Sequence, residues 1–214
     1  MGSNERRERE KQELRAKILD AARALFVEEG YEAVTMRKIA EKIEYSPTAL
    51  YFHFADKTAL IRALCEHDFL AFASQFVKLM KIADPVERVR RSGEAYVEFA
   101  ITHPHQYRLM FMTPHPKEAT PQLAESNNPE ENAYQFLRMN VEEAMNAGRL
   151  RPELKDVELV AQVLWAGVHG VASLYIAKGD AEWVEMRDPK KMAKIMVDGL
   201  MRGLLREAPL TKNR

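Results

Sequence analysis

Val34-Thr35-Met36-Arg37-Lys38-Ile39-Ala40, followed by Ser46-Pro47-Thr48-Ala49-Leu50-Tyr51-Phe52-His53-Phe54, is the stretch on which the reading of this chain turns. Thr35 precedes Met36, Ile39, Ala40 and Ile43, an apolar set at helical spacing, so it reads as the N-cap of a short helix. Ser46 caps the next helix, with Pro47 at the first helical position, where a missing N–H costs nothing. Between them lies the tight turn Glu44-Tyr45-Ser46. Two short helices joined this closely, behind a longer one, have the order of a helix-turn-helix unit. The second of the pair is too short to be stable alone. Leu50 and Phe54, four apart, anchor it to a core and leave Pro47, Thr48, Ala49, Tyr51, Phe52 and His53 facing outward.

That outward set has two aromatics and no carboxylate, a poor choice for solubility and a good one for a DNA groove. Thr48 and Ala49 are small enough for close approach to a thymine methyl, and Thr48 can also hydrogen-bond a base edge. Tyr51 and His53 can donate to phosphate oxygens. Lys57 adds positive charge at the start of the following helix, and Thr35 with Arg37 offers a similar arrangement at the start of the second. The bland alternative is that Thr35, Ser46 and Asp56 are ordinary caps of a helical protein, since helix-turn-helix geometry also occurs without DNA.

The same residues, together with Ala21-Ala22, Leu25-Phe26, Gly30-Tyr31, Lys57 and Leu60, resemble the N-terminal domain of TetR-family transcriptional regulators. The match covers residues 15–62, with caps, turn, aromatics and lysine in one register. The resemblance implies that the third helix reads the major groove and that Thr35, Tyr51, His53 and Lys57 hold phosphates. One departure stands out. The family usually has glycine at the first turn position, where this chain has Glu44, and a left-handed backbone there would cost about 1 kcal/mol or more.

Working outward, the remaining sequence reads as helices from end to end. Leu14, Ile18, Ala21, Ala22, Leu25 and Phe26 follow helical periodicity, and Gly30 ends that helix. A fourth helix is expected from Asp56 to about Ile82, a fifth from Asp84-Pro85 to His103, and a short sixth over residues 104–112. Residues 113–129 hold four prolines and read as a loop with a turn of helix. A seventh helix is expected over residues 129–147, stopping at Gly148. An eighth follows over 156–178, ending at Gly179, and a ninth runs from Asp188-Pro189 to Glu207. No alternating strand pattern appears. The expected fold is all-α with about nine helices: a DNA-binding helix-turn-helix domain over residues 1–57 and a larger ligand-binding and dimerisation domain over 58–214.

Composition sets outer limits. The chain has 214 residues, 46% of them hydrophobic and 30% charged, enough to bury a core and unlike a disordered, collagenous or disulfide-built protein. The single cysteine, Cys65, excludes a CxxC redox pair or a cysteine-based zinc site. Met1-Gly2 fits a myristoylation pattern only loosely, because Arg6 stands where Ser or Thr belongs. The N-terminus runs straight into charge, so no signal peptide is expected and a cytoplasmic location is. Residues 159–177 carry no formal charge and could span a bilayer by length. Gln162, His169 and Ser173 instead suggest a helix buried on nearly all sides by protein, and no membrane partner is expected.

The resemblance also implies that the second domain binds a small-molecule effector and forms a homodimer. Trp165-Ala166-Gly167-Val168-His169-Gly170 looks like the Trp-x-x-x-His-Gly signature of one subset of these domains, and His103-Pro104-His105 with Tyr107-Arg108-Leu109-Met110-Phe111 looks like the same subset. Small residues along the eighth helix, and Gly199 and Gly203 on the ninth, would let two subunits pack as a four-helix bundle. Phe99, Tyr107, Met110, Phe111, Phe136, Met139, Trp165 and His169 are candidates to line an adaptable apolar effector cavity. Each could equally be plain core, and His169 could simply satisfy a buried partner. His67, His103, His105 and His115 have no metal-site spacing, so neither metal nor cofactor is expected.

No GxGxxG, Walker, HExxH or GxSxG motif is present, and no enzyme is expected. The rival reading is a helical partner-binding module without DNA contact. Charge sharpens the DNA expectation. Lys+Arg and Asp+Glu balance at 32 each, and residues 1–57 carry 11 of each. A modest number of phosphate contacts and a shallow salt dependence are therefore expected. The segment 5–17, with six basic and four acidic residues, is either a salt-bridge-laced extension of the first helix or an arm whose Arg6, Arg7 and Arg9 touch DNA.

Overall fold

The computed structural model describes residues 3–179 and 182–206, and among them the chain forms nine α-helices and no β-strand. They are α1 (Ser3–Glu29), α2 (Met36–Lys42), α3 (Pro47–Tyr51), α4 (Lys57–Val77), α5 (Pro85–Thr102), α6 (Pro104–Phe111), α7 (Ala133–Asn146), α8 (Val157–Lys178) and α9 (Pro189–Leu204). The expected all-α architecture is the observed one. The start of the myristoylation-like pattern, Met1-Gly2, and the expected end of the ninth helix at Glu207 lie outside the described residues.

Caps explain most helix ends. Asp84, Asp156 and Asp188 each accept a backbone N–H of the first turn of α5, α8 and α9. Two helix ends and one link differ from expectation. α4 stops at Val77, and a 3₁₀ turn (Lys78–Lys81) takes over before Ile82 turns extended. α7 starts four residues later than Pro129, because the Asn132 side chain accepts from the N–H groups of Tyr134 and Gln135. The proline-rich segment holds two 3₁₀ turns, Lys117–Ala119 and Gln122–Glu125, where one turn is expected.

The chain divides into two compact units, Met1–Phe69 with His105–Glu125, and Leu70–Pro104 with Ser126–Arg214. In the first, one face of α1 (Ile18, Ala22, Leu25, Phe26) packs on Ile39 and Ala40 of α2, Leu50 of α3, Leu60, Ile61 and Leu64 of α4 and Leu109 of α6. A buried carboxylate crosses this core. Asp68 is fully buried and accepts both Arg23 Nη2 at 2.7 Å and Arg23 Nε at 3.0 Å, and Gln106 Nε2 at 3.2 Å. Arg23 is held above its ordinary pKa: burial opposes the shift, and the bonds to Asp68 and Asp20 outweigh it. Cys65 lies one turn earlier, and burial pushes its thiol up to about 12, the opposite of a reactive thiol.

In the second unit α5, α7, α8 and α9 pack on one another. Gly93 of α5 permits the close approach of α9, since a Cβ there would lie 2.7 Å from Val197 Cγ2. The link after α7 pairs with the end of α9 through an isolated antiparallel bridge, Leu150 to Leu205. α8 corrects the expectation of burial on nearly all sides. It is long and apolar enough to cross a membrane, yet 39% of its most apolar window is buried in the single chain. Val160, Ala161, Leu164, Val168, Val171 and Ala172 face inward, while Leu159, Val163 and Leu174 on other faces are exposed.

Candidate DNA-reading site

α2 and α3 form the helix-turn-helix. Thr35 Oγ1 accepts the N–H of Lys38 at 3.2 Å, and Ser46 Oγ accepts that of Ala49 at 3.3 Å. Each hydroxyl keeps its own proton to donate elsewhere. α2 ends in a Schellman motif: Tyr45 N–H bonds Ala40 O and Glu44 N–H bonds Glu41 O. Glu44 is the C′ residue, at φ 61°, the one non-glycine residue with positive φ among those described. The turn therefore takes the left-handed form that glycine favours, and the pitch of α3 is kept at some backbone strain.

Leu50 is fully buried and Phe54 nearly so, which clamps α3 onto the core. Its other side is open. Phe52 is 84% exposed and Tyr51 54%; Pro47 and Thr48 are exposed, and Ala49 and His53 half-buried. Two large aromatics thus stand exposed, one at the end of α3 and one at its C-cap. Tyr45 joins them from the turn. Its place beside two helix ends was the only sequence signal for it.

Lys57 is positioned by Tyr31. Its Nζ donates to Tyr31 O at 2.8 Å and lies 4.0 Å from the Tyr31 ring centroid. Tyr31 stacks on Phe26 and its hydroxyl meets Thr58 Oγ1 at 3.1 Å. An ammonium has three donors, so the one held by Tyr31 fixes the head and two remain for a ligand oxygen. Arg37 is exposed and pairs with Glu41. His53 is held below its ordinary pKa by partial burial and then by Arg15 and Lys11. Arg15 itself sits over the Phe54 ring, 4.6 Å from the centroid.

The candidate effector residues fall in different units. Tyr107, Met110 and Phe111 lie on α6 in the first, where Tyr107 is fully buried and its ring packs on that of Phe111. Phe99, Phe136, Met139, Trp165 and His169 lie in the second. There Phe99 and Phe136 are buried against Phe72 and Phe76 respectively, and Met139 is half-buried. Trp165 and His169 are joined by a residue that sequence reasoning passed over, Tyr96. The Trp165 indole N–H donates to the Tyr96 oxygen at 3.1 Å, and that hydroxyl lies 3.3 Å from His169 Nδ1. Burial holds His169 below its ordinary pKa, so a neutral imidazole can accept the Tyr96 proton. No group of three or more His, Cys, Asp or Glu side chains among the described residues is placed to hold a metal.

Two family models match. The one described as bacterial regulatory proteins, tetR family, covers residues 18–64, and the tetracyclin repressor-like C-terminal domain covers residues 89–200. The HTH-type transcriptional regulator TtgR of Pseudomonas putida is 27% identical, over 82% of this chain and 86% of its own. The HTH-type transcriptional regulator UidR of Escherichia coli is 27% identical, over 76% and 81%. A solved structure of a protein of unknown function from Rhodococcus sp. RHA1 superposes with a TM-score of 0.69 at 26% identity, covering 90% of this chain and 95% of that one. The chain belongs to the tetR family of bacterial regulatory proteins: it is a ligand-responsive, DNA-binding transcriptional regulator.

Proposed function

We propose that two copies of this chain bind a palindromic operator in the cytoplasm and repress transcription until a small-molecule effector releases them. The observation that carries this reading is the open side of α3, where Tyr51 and the C-cap Phe52 are exposed, followed in the chain by Lys57, whose ammonium Tyr31 holds in place. Residues 1–57 act as the reading head. Thr48 and Ala49 approach base edges from α3, while Thr35, Arg37, Ser46, Tyr51, His53 and Lys57 hold phosphates. Pro47 and Phe52 shape the contact. Residues 58–214 bind the effector and the second copy.

The outer face of α8 and α9 supports the homodimer. Leu159, Val163, Leu174 and Ile195 are exposed there, and a Cβ at Gly170, Gly199 or Gly203 would meet nothing within 4 Å in the single chain. Open small residues among apolar ones suit close packing against a second copy. The Trp165–Tyr96–His169 group and the aromatic side chains around it support an effector site in the second unit; Tyr107, Met110 and Phe111 are separate candidates in the first. α4 begins at Lys57 and ends at Val77, so a movement of this helix driven by the effector would displace a phosphate contact. Release follows only if the effector prefers the non-binding arrangement.

The test is a mobility-shift assay on duplex from the chain's own upstream region, with Tyr51→Ala and Lys57→Ala beside the unaltered protein. Loss of the shift in both variants, with the dimer intact by light scattering, supports the reading. Binding unchanged by either substitution leaves α3 without a role and favours a partner-binding module.

A further inference from the structure

α1 is longer than its core contacts require. Its buried face begins near Ile18, yet the helix starts at Ser3 and its first turns are exposed. The charges on those turns are sorted. Arg6 pairs with Glu10 and Arg9 with Glu13. Arg7, Lys11 and Arg15 recur every four residues and so form one stripe. Among the described residues, Arg7 and Lys11 enter no ion pair. At about 100° per residue the stripe continues the face that carries Ile18 and Ala22 into the core, and the paired charges lie behind it. Glu8 flanks it, leaving three cations to one carboxylate.

The stripe leads to the reading helix. Arg15 rests on Phe54, the residue after His53, and both Arg15 and Lys11 are near enough to disfavour a charge on His53. From Arg7 to Arg15 the helix axis runs about 12 Å, a length matched by three to four base-pair rises of a duplex, at about 3.4 Å each.

We infer that the N-terminal extension of α1 is a second DNA-contacting surface, on which Arg7 and Lys11, with Arg15 as hinge to α3, engage the phosphodiester backbone of duplex flanking the half-site read by α3. This rests on the DNA-binding reading and adds to it a footprint beyond the half-site. It also reassigns the arm: Arg6 and Arg9, bound to carboxylates on the far side, are not the contacting pair. Two phosphates per protomer would steepen a salt dependence that the neutral composition makes shallow.

The test uses the full chain and a duplex selected from a random pool by the unaltered protein, prepared in two lengths, trimmed to the half-sites or extended by ten base pairs at each end. Arg7→Gln with Lys11→Gln is compared with Arg6→Gln with Arg9→Gln, an equal change of net charge. The first pair should bind the extended duplex about tenfold or more weaker than the unaltered chain, lower the log–log salt slope by about 0.9 for each phosphate no longer neutralised, and match the unaltered chain on the trimmed duplex. The second pair should change little on either. Equal losses in both pairs would reduce the effect to bulk charge and overturn the proposal, as would an unchanged affinity for the first pair. Failure of the unaltered chain to select any duplex would instead remove the DNA-binding reading on which the proposal stands.

Discussion

The Lys57 ammonium is pinned by Tyr31, which accepts from it through the backbone carbonyl at 2.8 Å and offers its ring face at 4.0 Å. A lysine stem is otherwise free to sample many rotamers, and fixing it before DNA arrives removes that cost from binding. Lys57→Gln should weaken operator binding by about ten- to a hundredfold per half-site, the worth of one charge-assisted hydrogen bond. Tyr31→Leu keeps the charge and the carbonyl but loses the ring and the Thr58 contact. It should cost several-fold less, consistent with about 0.5–1 kcal/mol for an exposed cation–π pair. Fluorescence anisotropy on one duplex measures both; an equal loss in the two variants would show that Tyr31 does more than position the ammonium.

Glu44 and Gly148 occupy the same place in the same motif. Each is the C′ residue of a Schellman motif, at φ 61° and 65°, and in each the next residue's N–H reaches back to the fifth carbonyl before it. Glycine adopts that backbone freely; for glutamate it costs roughly 1–2 kcal/mol. Glu44→Gly should relieve that strain and return part of it as unfolded-state entropy, for a net gain of about 0.5–1 kcal/mol in chemical denaturation. Glu44→Val, β-branched, should lose stability. A destabilised Glu44→Gly would mean that the Glu44 side chain makes a compensating contact.

The buried Asp68–Arg23 pair gives the largest expected loss. The carboxylate is fully buried and takes two guanidinium bonds as well as that of Gln106. Asp68→Asn leaves a partly buried guanidinium facing a neutral amide, and removing one partner of such a pair costs about 3–5 kcal/mol. Asp68→Leu combined with Arg23→Met should recover most of that loss, because it removes both desolvated charges together. A small effect of Asp68→Asn would show that Asp20, the other partner of Arg23, carries the pairing alone.

The helices were legible because caps and periodicity agree along nearly the whole chain: Thr35, Ser46, Asp84, Asp156 and Asp188 each sit where an apolar repeat begins, and each caps a helix. The start of α7 was less so, since Pro129 at a compatible position competes with Asn132 and only the side-chain bonds decide between them. At the site, local spacing exposes α3, but it cannot show that Lys57 lies over a tyrosine 26 residues earlier, or that Tyr96 joins Trp165 and His169, 69 and 73 residues later. Those pairings depend on tertiary approach. The paired face of α1 was hidden for a different reason: a count of six cations and four carboxylates does not say which are neighbours.

Acid should weaken the fold through two histidines. His169 and His53 are both held below their ordinary pKa, the first by burial, the second by partial burial and the cations Arg15 and Lys11. Well above about pH 6.5, the ordinary histidine value, neither is charged in either state and stability is unaffected by them. As pH falls below that value the unfolded chain takes up protons before the folded one, so stability is lost until the folded values are passed. Thermal melts between about pH 7.5 and 5, which bracket that value, should fall in the unaltered chain and fall less in His169→Gln, which keeps a hydrogen-bonding group near Tyr96 but cannot be protonated. A parallel decline in both would assign the acid sensitivity to other groups.

Gly93 and Gly167 separate backbone need from composition. A Cβ at Gly93 would stand 2.7 Å from Val197 Cγ2 and 3.3 Å from Val168 Cγ1, both β-branched side chains with little rotamer freedom. One at Gly167 would stand 2.5 Å from Met196 Sδ and 2.8 Å from Leu200 Cδ1, the far ends of flexible side chains. Alanine also improves helix propensity by about 1 kcal/mol at either site. At Gly93 that gain is outweighed by an overpacking cost of about 1–3 kcal/mol, because α9 must shift for Val197 to move. Gly93→Ala should therefore destabilise by about 1 kcal/mol or more and Gly167→Ala should stay within about 0.5 kcal/mol of the unaltered chain, both read from denaturation midpoints at constant slope. The reverse order would mean that Met196 is locked and Val197 is not, and would move the tight crossing from α5–α9 to α8–α9.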